Sequence, residues 1–211
     1  MNKKETSIVH DAVILTIITL IAGLLLGLVH MVTEEPIARQ QAETRAATQK
    51  AVFENADHFE EAEVPADAVA AALEQLGLTK STKVLGADKA LDASGNVLGY
   101  IIDVTNNEGY GGDIEIMVGV DTTGETNVIN AISFLELAET AGMGMKAKDP
   151  EFIDQFDALS GAEYLEYVKN GKTAENQIDV ISGATVTTNA VTNAVNGALA
   201  AVNCLEEGGA S

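Results

Sequence analysis

Lys83–Phe134 reads KVLGADKALDASGNVLGYIIDVTNNEGYGGDIEIMVGVDTTGETNVINAISF, and its pattern predicts an antiparallel sheet. Short apolar runs are separated by turn-forming clusters at Asp92–Asn96, Asn106–Gly112 and Asp121–Glu125. Because these connections are too short for the crossovers that parallel strands need, consecutive strands should pair as a meander. The expected strands lie near Lys83–Leu91, Val97–Thr105, Ile114–Val120 and Val128–Phe134.

The segment after the predicted sheet carries helix and strand signals of its own. Asp149 suits the N-cap of a helix with Pro150 at its first position, and this helix should continue through Leu159. A short strand, Gln177–Ile181, is expected next. An amphipathic helix, Thr188–Leu205, should follow and pack its apolar side on the sheet.

Helical signals also precede the predicted sheet. Strong helix formers fill the run from Pro36, which suits a first turn, to about Phe59. A second helix is expected over Pro65–Leu76, where Gly77 provides an end signal. The fold class is therefore α+β. Its predicted parts are a helical juxtamembrane region, residues 33–80, a main domain, residues 81–205, and a flexible tail, residues 206–211.

The amino-terminal part of the chain contains an apolar segment, AVILTIITLIAGLLLGLVHMV, at Ala12–Val32. It has no Asp, Glu, Lys or Arg, and as a helix it would span roughly 31 Å, which matches the hydrocarbon core of a bilayer. A cleaved signal peptide is the competing interpretation, but the segment is too long and no small-x-small cleavage site follows it. A core helix of a soluble protein would have a polar face. We therefore expect a transmembrane helix at residues 12–32.

Charges beside this segment predict its orientation. Lys3 and Lys4 precede it, whereas Glu34 and Glu35 follow it. Positive charge stays on the cytoplasmic side of a membrane, so residues 1–11 should be cytoplasmic. The carboxy-terminal domain should then be extracytoplasmic in a single-pass protein of the cell membrane.

Composition excludes several classes of function. The chain of 211 residues has a formal net charge of -20, which would repel a phosphate backbone, so nucleic acid is not an expected partner. A single cysteine, Cys204, cannot form an intramolecular disulfide or hold a cluster within this chain, and its apolar neighbours indicate a packing residue. The histidines His10, His30 and His58 lie in unrelated contexts, so no metal site and no His-centred catalysis are expected.

One short motif, Ser182–Thr188 (SGATVTT), combines hydroxyl groups with a glycine at the predicted junction of a strand and a helix. The free N–H groups and the positive dipole end at a helix N-terminus favour an anion, so this turn could hold a phosphate. Ser and Thr are also ordinary N-caps. On the residues alone, a phosphate cradle and a capped helix start both stay open.

The same residues resemble the flavinylation motif S/T-G-A-T/S-x-T/S of a family of FMN-binding domains. This family is found in the G subunit of Rnf complexes and in the C subunit of sodium-pumping NADH:quinone reductases. In that family a dedicated flavin transferase, using FAD, joins FMN to the last Thr of the motif through a phosphoester. The resemblance therefore implies covalent attachment at Thr187. Thr185 and Thr188 are the nearest competitors.

Two further segments resemble the same family, in the same order along the chain. Gly109–Gly112 is similar to its glycine-rich loop, and Glu139–Gly144 (ETAGMG) is similar to its E-T-P-G-L-G segment beside the flavin ring. Phe152–Phe156 resembles the helix that follows. Ala141 and Met143 replace the usual Pro and Leu, which implies a less rigid loop. The resemblance implies flavin contacts from Tyr110, Gly111, Gly112, Glu139, Thr140, Gly142, Met143, Gly144, Ser182, Gly183, Ala184 and Thr185.

The length of the chain and its single anchor resemble the Rnf protein more than its quinone-reductase counterpart. This resemblance implies an electron-relay subunit of an ion-translocating ferredoxin:NAD oxidoreductase, with other membrane and peripheral subunits as partners. The flavin would carry the redox chemistry, with no further catalytic residue. Alternatives are the C subunit of the quinone reductase, another flavinylated extracellular electron-transfer protein, and a non-enzymatic extracellular binding or scaffold domain.

Overall fold

The structure is a computed structural model that describes residues 3–160, 164–169 and 171–209. The chain divides between Arg45 and Ala46 into two compact units, which are described separately. The elements follow the order α1, β1, α2, β2 to β5, α3, β6, β7 and α4.

The first helix, α1 (Lys3–Val52), has Pro36 inside it. The expectation that Pro36 starts a new helix was therefore wrong. A proline removes one backbone hydrogen bond and crowds the preceding turn, but the surrounding Glu, Ala, Arg and Gln residues favour helix on both sides. Among the described residues, this is the helix long and apolar enough to cross a membrane. Its large apolar side chains from Val13 to Val32 are exposed.

The end of α1 lies at Val52, earlier than the predicted Phe59, because side chains bind the carbonyl groups that the helix end leaves free. Asn130 Nδ2 donates to the Val52 carbonyl oxygen over 2.8 Å. Lys50 Nζ donates to the carbonyl oxygens of Glu54 and Ala56 over 2.6 and 2.7 Å. Such contacts are the usual partners of terminal carbonyl groups.

The sheet is an antiparallel meander with the order β1-β2-β3-β4-β5. The prediction of four strands is confirmed, and the strands are one to three residues longer than expected. One strand was missed, β1, whose acidic residues favoured a helical interpretation but which pairs with β2 along an edge. The strands are β1 (His58–Ala62), β2 (Thr82–Leu91), β3 (Val97–Asn106), β4 (Ile114–Asp121) and β5 (Val128–Leu137).

The main core lies between one face of this sheet and α4 (Thr185–Gly209). Ile102, Val118, Val195 and Val202 are buried there. The shorter helix α2 (Ala66–Gln75) agrees with the prediction within one residue and packs Val69 and Leu73 into the same core. A second apolar cluster covers the opposite face of the sheet, where Val52 and Phe53 pack against Ala90, Ile101 and Met117.

Helix α4 is longer than predicted at both ends. It begins at Thr185, before the predicted Thr188, and continues to Gly209. Residues 206–209 are therefore helical where a flexible tail was expected, and residues 210 and 211 lie outside the described residues. Leu205 is buried in the core, and Asn127 Nδ2 donates to Glu206 Oε2 over 2.6 Å, which holds the last turns. Cys204 packs beside the core as expected, and burial, together with the charge of Glu207, raises the pKa of its thiol.

The segment between the sheet and α4 differs most from the prediction. Helix α3 (Pro150–Ile153) has four residues and does not reach Leu159, although Asp149 and Pro150 stand at its start as expected. The chain leaves the helix because Ala158 N–H donates to the Ile129 carbonyl and Ile129 N–H donates to the Leu159 carbonyl, each over 2.8 Å. Two short strands, β6 (Glu166–Val168) and β7 (Gln177–Asp179), pair in parallel. The first was not predicted and the second is shorter than expected.

Candidate functional site

The three motifs singled out in the sequence meet at the amino-terminal end of α4. Together they form a cleft of about 440 Å³, a size typical of small-molecule sites. The glycine-rich loop contributes one side, the segment after β5 a second, and the first turn of α4 the third. The cleft is lined by Tyr110, Glu139, Thr140, Met143, Gly144, Gly183, Ala184, Thr185, Val186 and Thr187.

The first turn of α4 presents backbone donors to this cleft. The first helical hydrogen bond runs from Thr188 N–H to the Ala184 carbonyl over 3.0 Å. The N–H groups of Thr185, Val186 and Thr187 precede that bond and have no acceptor within the helix. Gly183 adopts a φ of 81°, which turns the chain from β7 into this first turn. The turn thus offers three donors and the positive end of the helix dipole to an anion.

The three threonines of the motif have different surroundings. The Thr188 hydroxyl is fully buried, donates to the Ala184 carbonyl over 3.0 Å and accepts from Ile181 N–H over 3.1 Å. These two bonds give Thr188 a structural role. Thr187 and the half-buried Thr185 line the cleft instead. Only 1% of Thr187 is exposed, so its side chain lies at the bottom of the site.

Gly144 lies between Thr187 and Glu139. A Cβ atom at this position would be 2.7 Å from Thr187 Oγ1 and 2.6 Å from Glu139 Oε2. Neither distance is compatible with a real Cβ, so these two side chains take the space that any residue other than glycine would need. The absence of a side chain at Gly144 therefore brings a carboxylate and a hydroxyl to the same part of the cleft.

The glycine-rich loop is attached to this carboxylate. Tyr110 N–H donates to Glu139 Oε1 over 2.8 Å. Gly111 lies against the backbone of Ala138, because a Cβ there would overlap the Ala138 carbonyl oxygen. Glycine is thus needed for a close approach of the loop to the end of β5.

Not every predicted site residue lines the cleft. Gly111, Gly112 and Gly142 shape the two loops and are not among its lining residues. Ser182 lies in a neighbouring cleft of about 490 Å³, beside Lys146 and Lys172.

Sequence reasoning missed the residues that hold the glycine-rich loop on α4. Asn106 is buried, donates through Nδ2 to Thr82 Oγ1 over 2.9 Å, and accepts from Glu108 N–H over 2.9 Å. Glu108 Oε2 accepts from Asn193 Nδ2 over 3.2 Å and from Asn189 Nδ2 over 3.5 Å. No local sequence signal identifies these contacts, since Glu108 and Asn193 are 85 positions apart.

Exposed apolar side chains line the rim of the cleft. Tyr110 is 76% exposed, Met143 47% and Val186 48%. Val186 was not predicted as a site residue. A signal for it was present, because a valine in the first turn of an amphipathic helix, outside the stripe of core residues, faces away from the sheet. The cleft thus has a polar floor and an apolar rim.

Comparisons with known proteins agree with this geometry. Residues 109–200 match the family model of the FMN-binding domain, and residues 1–52 match that of the RnfG N-terminal region. The fold resembles the crystal structure of Shewanella oneidensis NqrC, with a TM-score of 0.51, 20% identity, and coverage of 76% of this chain and 74% of that one. At that identity the likeness supports the fold alone.

Sequence relatives cover nearly the whole chain, and each is the G subunit of an oxidoreductase complex. That of the Na(+)-translocating ferredoxin:NAD(+) oxidoreductase complex of Acetobacterium woodii is 32% identical, over 87% of this chain and 86% of the relative. That of the ion-translocating oxidoreductase complex of Methanosarcina acetivorans is 30% identical, over 97% and 98%. That of the proton-translocating ferredoxin:NAD(+) oxidoreductase complex of Clostridium ljungdahlii is 28% identical, over 98% of each. From its cleft, its two family models and these relatives, the chain belongs to the RnfG family of ion-translocating oxidoreductase complexes and contains an FMN-binding domain.

Proposed function

We propose that this protein is an electron-relay subunit of an Rnf-type ferredoxin:NAD oxidoreductase and carries FMN through a phosphoester to Thr187. The observation that carries this proposal is the division of labour among the motif threonines. Thr188 uses its hydroxyl inside the fold, whereas Thr187 turns its hydroxyl to a cleft that ends at the donors of a helix N-terminus. A phosphate esterified to Thr187 would lie beside those donors.

The residues of the cleft fit both chemical parts of FMN. Thr187 and Thr185, with the first-turn N–H groups, would hold the phosphate end. Tyr110, Met143 and Val186 offer apolar surface to a flat ring, and Glu139, Thr140 and Gly144 border the same space. FMN would supply the redox chemistry, and the protein would supply its position and surroundings. A covalent tether would keep the cofactor beside its redox partners at high effective concentration.

The proposed partners follow from the relatives. Their names place them in complexes that translocate ions and connect ferredoxin with NAD. We extend this to the present chain, with the other membrane and peripheral subunits of such a complex as partners and a flavin transferase for maturation. Residues 12–32 would anchor the protein in the cell membrane, with residues 1–11 cytoplasmic and the FMN-binding domain on the other side.

Mass spectrometry of the protein purified from its native membrane tests the attachment. The intact mass should exceed the sequence mass by one FMN less water, and the denatured band should fluoresce in the gel. Thr187→Ala should lose both signals because the ester oxygen is gone, whereas Thr187→Ser, which keeps a hydroxyl, should retain flavin. Thr185→Ala is the matched control and should stay loaded. Flavin that persists in Thr187→Ala would contradict the assignment.

The other candidate functions make different predictions. A scaffold domain would yield colourless protein of unmodified mass. The C subunit of a quinone reductase, or another flavinylated electron-transfer protein, would be yellow but would not copurify with the components of a ferredoxin:NAD oxidoreductase. The match of residues 1–52 to the RnfG N-terminal region favours the Rnf-type assignment.

A further inference from the structure

Glu139 is oriented by the glycine-rich loop. Its Oε1 atom accepts the Tyr110 N–H over 2.8 Å, and this bond turns Oε2 towards Gly144. Oε2 lies 2.6 Å, and Thr187 Oγ1 2.7 Å, from the point where a Gly144 Cβ would be. The two oxygens are therefore no farther apart than the sum of these distances. Such a separation can be spanned by one bridging water or closed by a small movement, and hydrogen bonds of this kind are often long before substrate binds.

We propose that Glu139 accepts the proton of the Thr187 hydroxyl when the flavin is attached, an inference that rests on the proposed function. A threonine hydroxyl is a weak nucleophile, and a nearby base that takes its proton during attack is the usual means of activating it. A carboxylate that accepts the proton of an attacking hydroxyl is an established arrangement in phosphoryl transfer. Glu139 therefore acts in the making of the flavoprotein.

The reaction balances with FAD as the flavin donor. A bond forms between Thr187 Oγ1 and the phosphorus of the FMN half of FAD. The bond from that phosphorus to the bridging oxygen of the pyrophosphate breaks, and AMP leaves with the bridging oxygen. The hydroxyl proton passes to Glu139 and then to solvent. No oxidation or reduction takes place, and the products are the phosphoester and AMP.

The other side chains that line the cleft are less suited to this task. Thr140, Met143, Thr185 and Val186 carry no base, and Tyr110 is 76% exposed at the rim. Within the lining of the cleft, Glu139 is thus the carboxylate, and it is placed beside the Thr187 hydroxyl. The same residue holds the glycine-rich loop through its other oxygen, so its two oxygens have separate roles.

Kinetics of flavin loading test this role. The full chain, produced in cells without a flavin transferase and held in detergent, is mixed with purified transferase and FAD, and covalent flavin and released AMP are measured. Glu139→Gln keeps an oxygen for the Tyr110 N–H but is no longer a base. We expect kcat for loading to fall about 100-fold with the KM for FAD unchanged, because the lost step is proton transfer. Glu136→Gln, an exposed carboxylate outside the cleft, is the matched control and should load at the wild-type rate.

A second variant separates chemistry from structure. Glu139→Asp keeps a carboxylate but shortens it by one methylene, so it disturbs the Tyr110 contact more than Gln does. We expect Asp to load faster than Gln, since a shortened base is still a base. An Asp variant as slow as Gln, or a Gln variant that loads at the wild-type rate, would overturn the proposal. If wild-type protein acquires no covalent flavin under these conditions, the proposed function itself fails.

Discussion

At the residue scale, Gly144 is the position on which the arrangement of the cleft depends. A methyl group there would collide with Thr187 Oγ1 and Glu139 Oε2. We expect Gly144→Ala to prevent flavin attachment and to lower the free energy of unfolding by about 1–3 kcal/mol, the usual cost of overpacking. In-gel flavin fluorescence and urea denaturation would measure the two effects.

Gly86→Ala is the matched control for that change. A Cβ at Gly86 would meet no atom within 4 Å, and its φ is not positive. This variant should fold and load flavin like the wild type. A Gly144→Ala protein with full flavin content would show that the two oxygens can move apart, and would contradict the importance assigned to their proximity.

The residues of the site could be predicted only in part. The motif Ser182–Thr188 identified the correct turn, but the sequence could not choose among its threonines, because the choice depends on which way each hydroxyl points. Thr188 is distinguished by its bonds to Ala184 and Ile181. Val186 was missed since its importance lies in facing away from the core, and Glu108 was missed since its partner Asn193 is distant in sequence.

At the element scale, the junction of β7 and α4 depends on Thr188. Its hydroxyl satisfies the buried Ile181 N–H, and a valine has the same shape without the acceptor. We expect Thr188→Val to cost about 1–3 kcal/mol in the free energy of unfolding, because a buried donor loses its partner. The variant should nevertheless carry flavin, since Thr187 is unchanged. Thermal unfolding and intact mass would test both statements.

Thr187→Val should give the opposite result at the same junction. It removes a hydroxyl that faces the cleft, so stability should change little while covalent flavin disappears. If the Thr188→Val protein is the one that loses flavin after its folding has been verified, the attachment residue has been assigned to the wrong threonine.

The elements themselves were predicted where one signal dominated. The meander of β2 to β5 follows from alternating runs and short turns, and the structure agrees. Strand β1 was missed because its sequence, HFEEA, favours helix locally and becomes a strand only by pairing with β2. Helix α3 stops early for a similar reason, since residues after it pair with Ile129. Contacts between distant parts of the chain outweighed local propensity in both cases.

At the scale of the whole molecule, the predicted orientation rests on Lys3 and Lys4. We expect a protease added to intact spheroplasts to digest the domain that begins at Ala46, because this domain should face the medium. A cytoplasmic protein probed in the same sample should stay intact, which shows that the membrane is sealed. Full protection of the domain until detergent is added would reverse the orientation.

The convergence of three segments on one cleft also determines when the cofactor can be added. The cleft joins residues as far apart as Tyr110 and Thr187, and its floor is the first turn of the helix that ends the domain. A nascent chain has no such cleft until that helix has been synthesised and has packed on the sheet. Flavin loading is therefore a late event in biogenesis that acts on a finished domain. If the domain folds outside the cytoplasm, the transferase and its FAD must be supplied there.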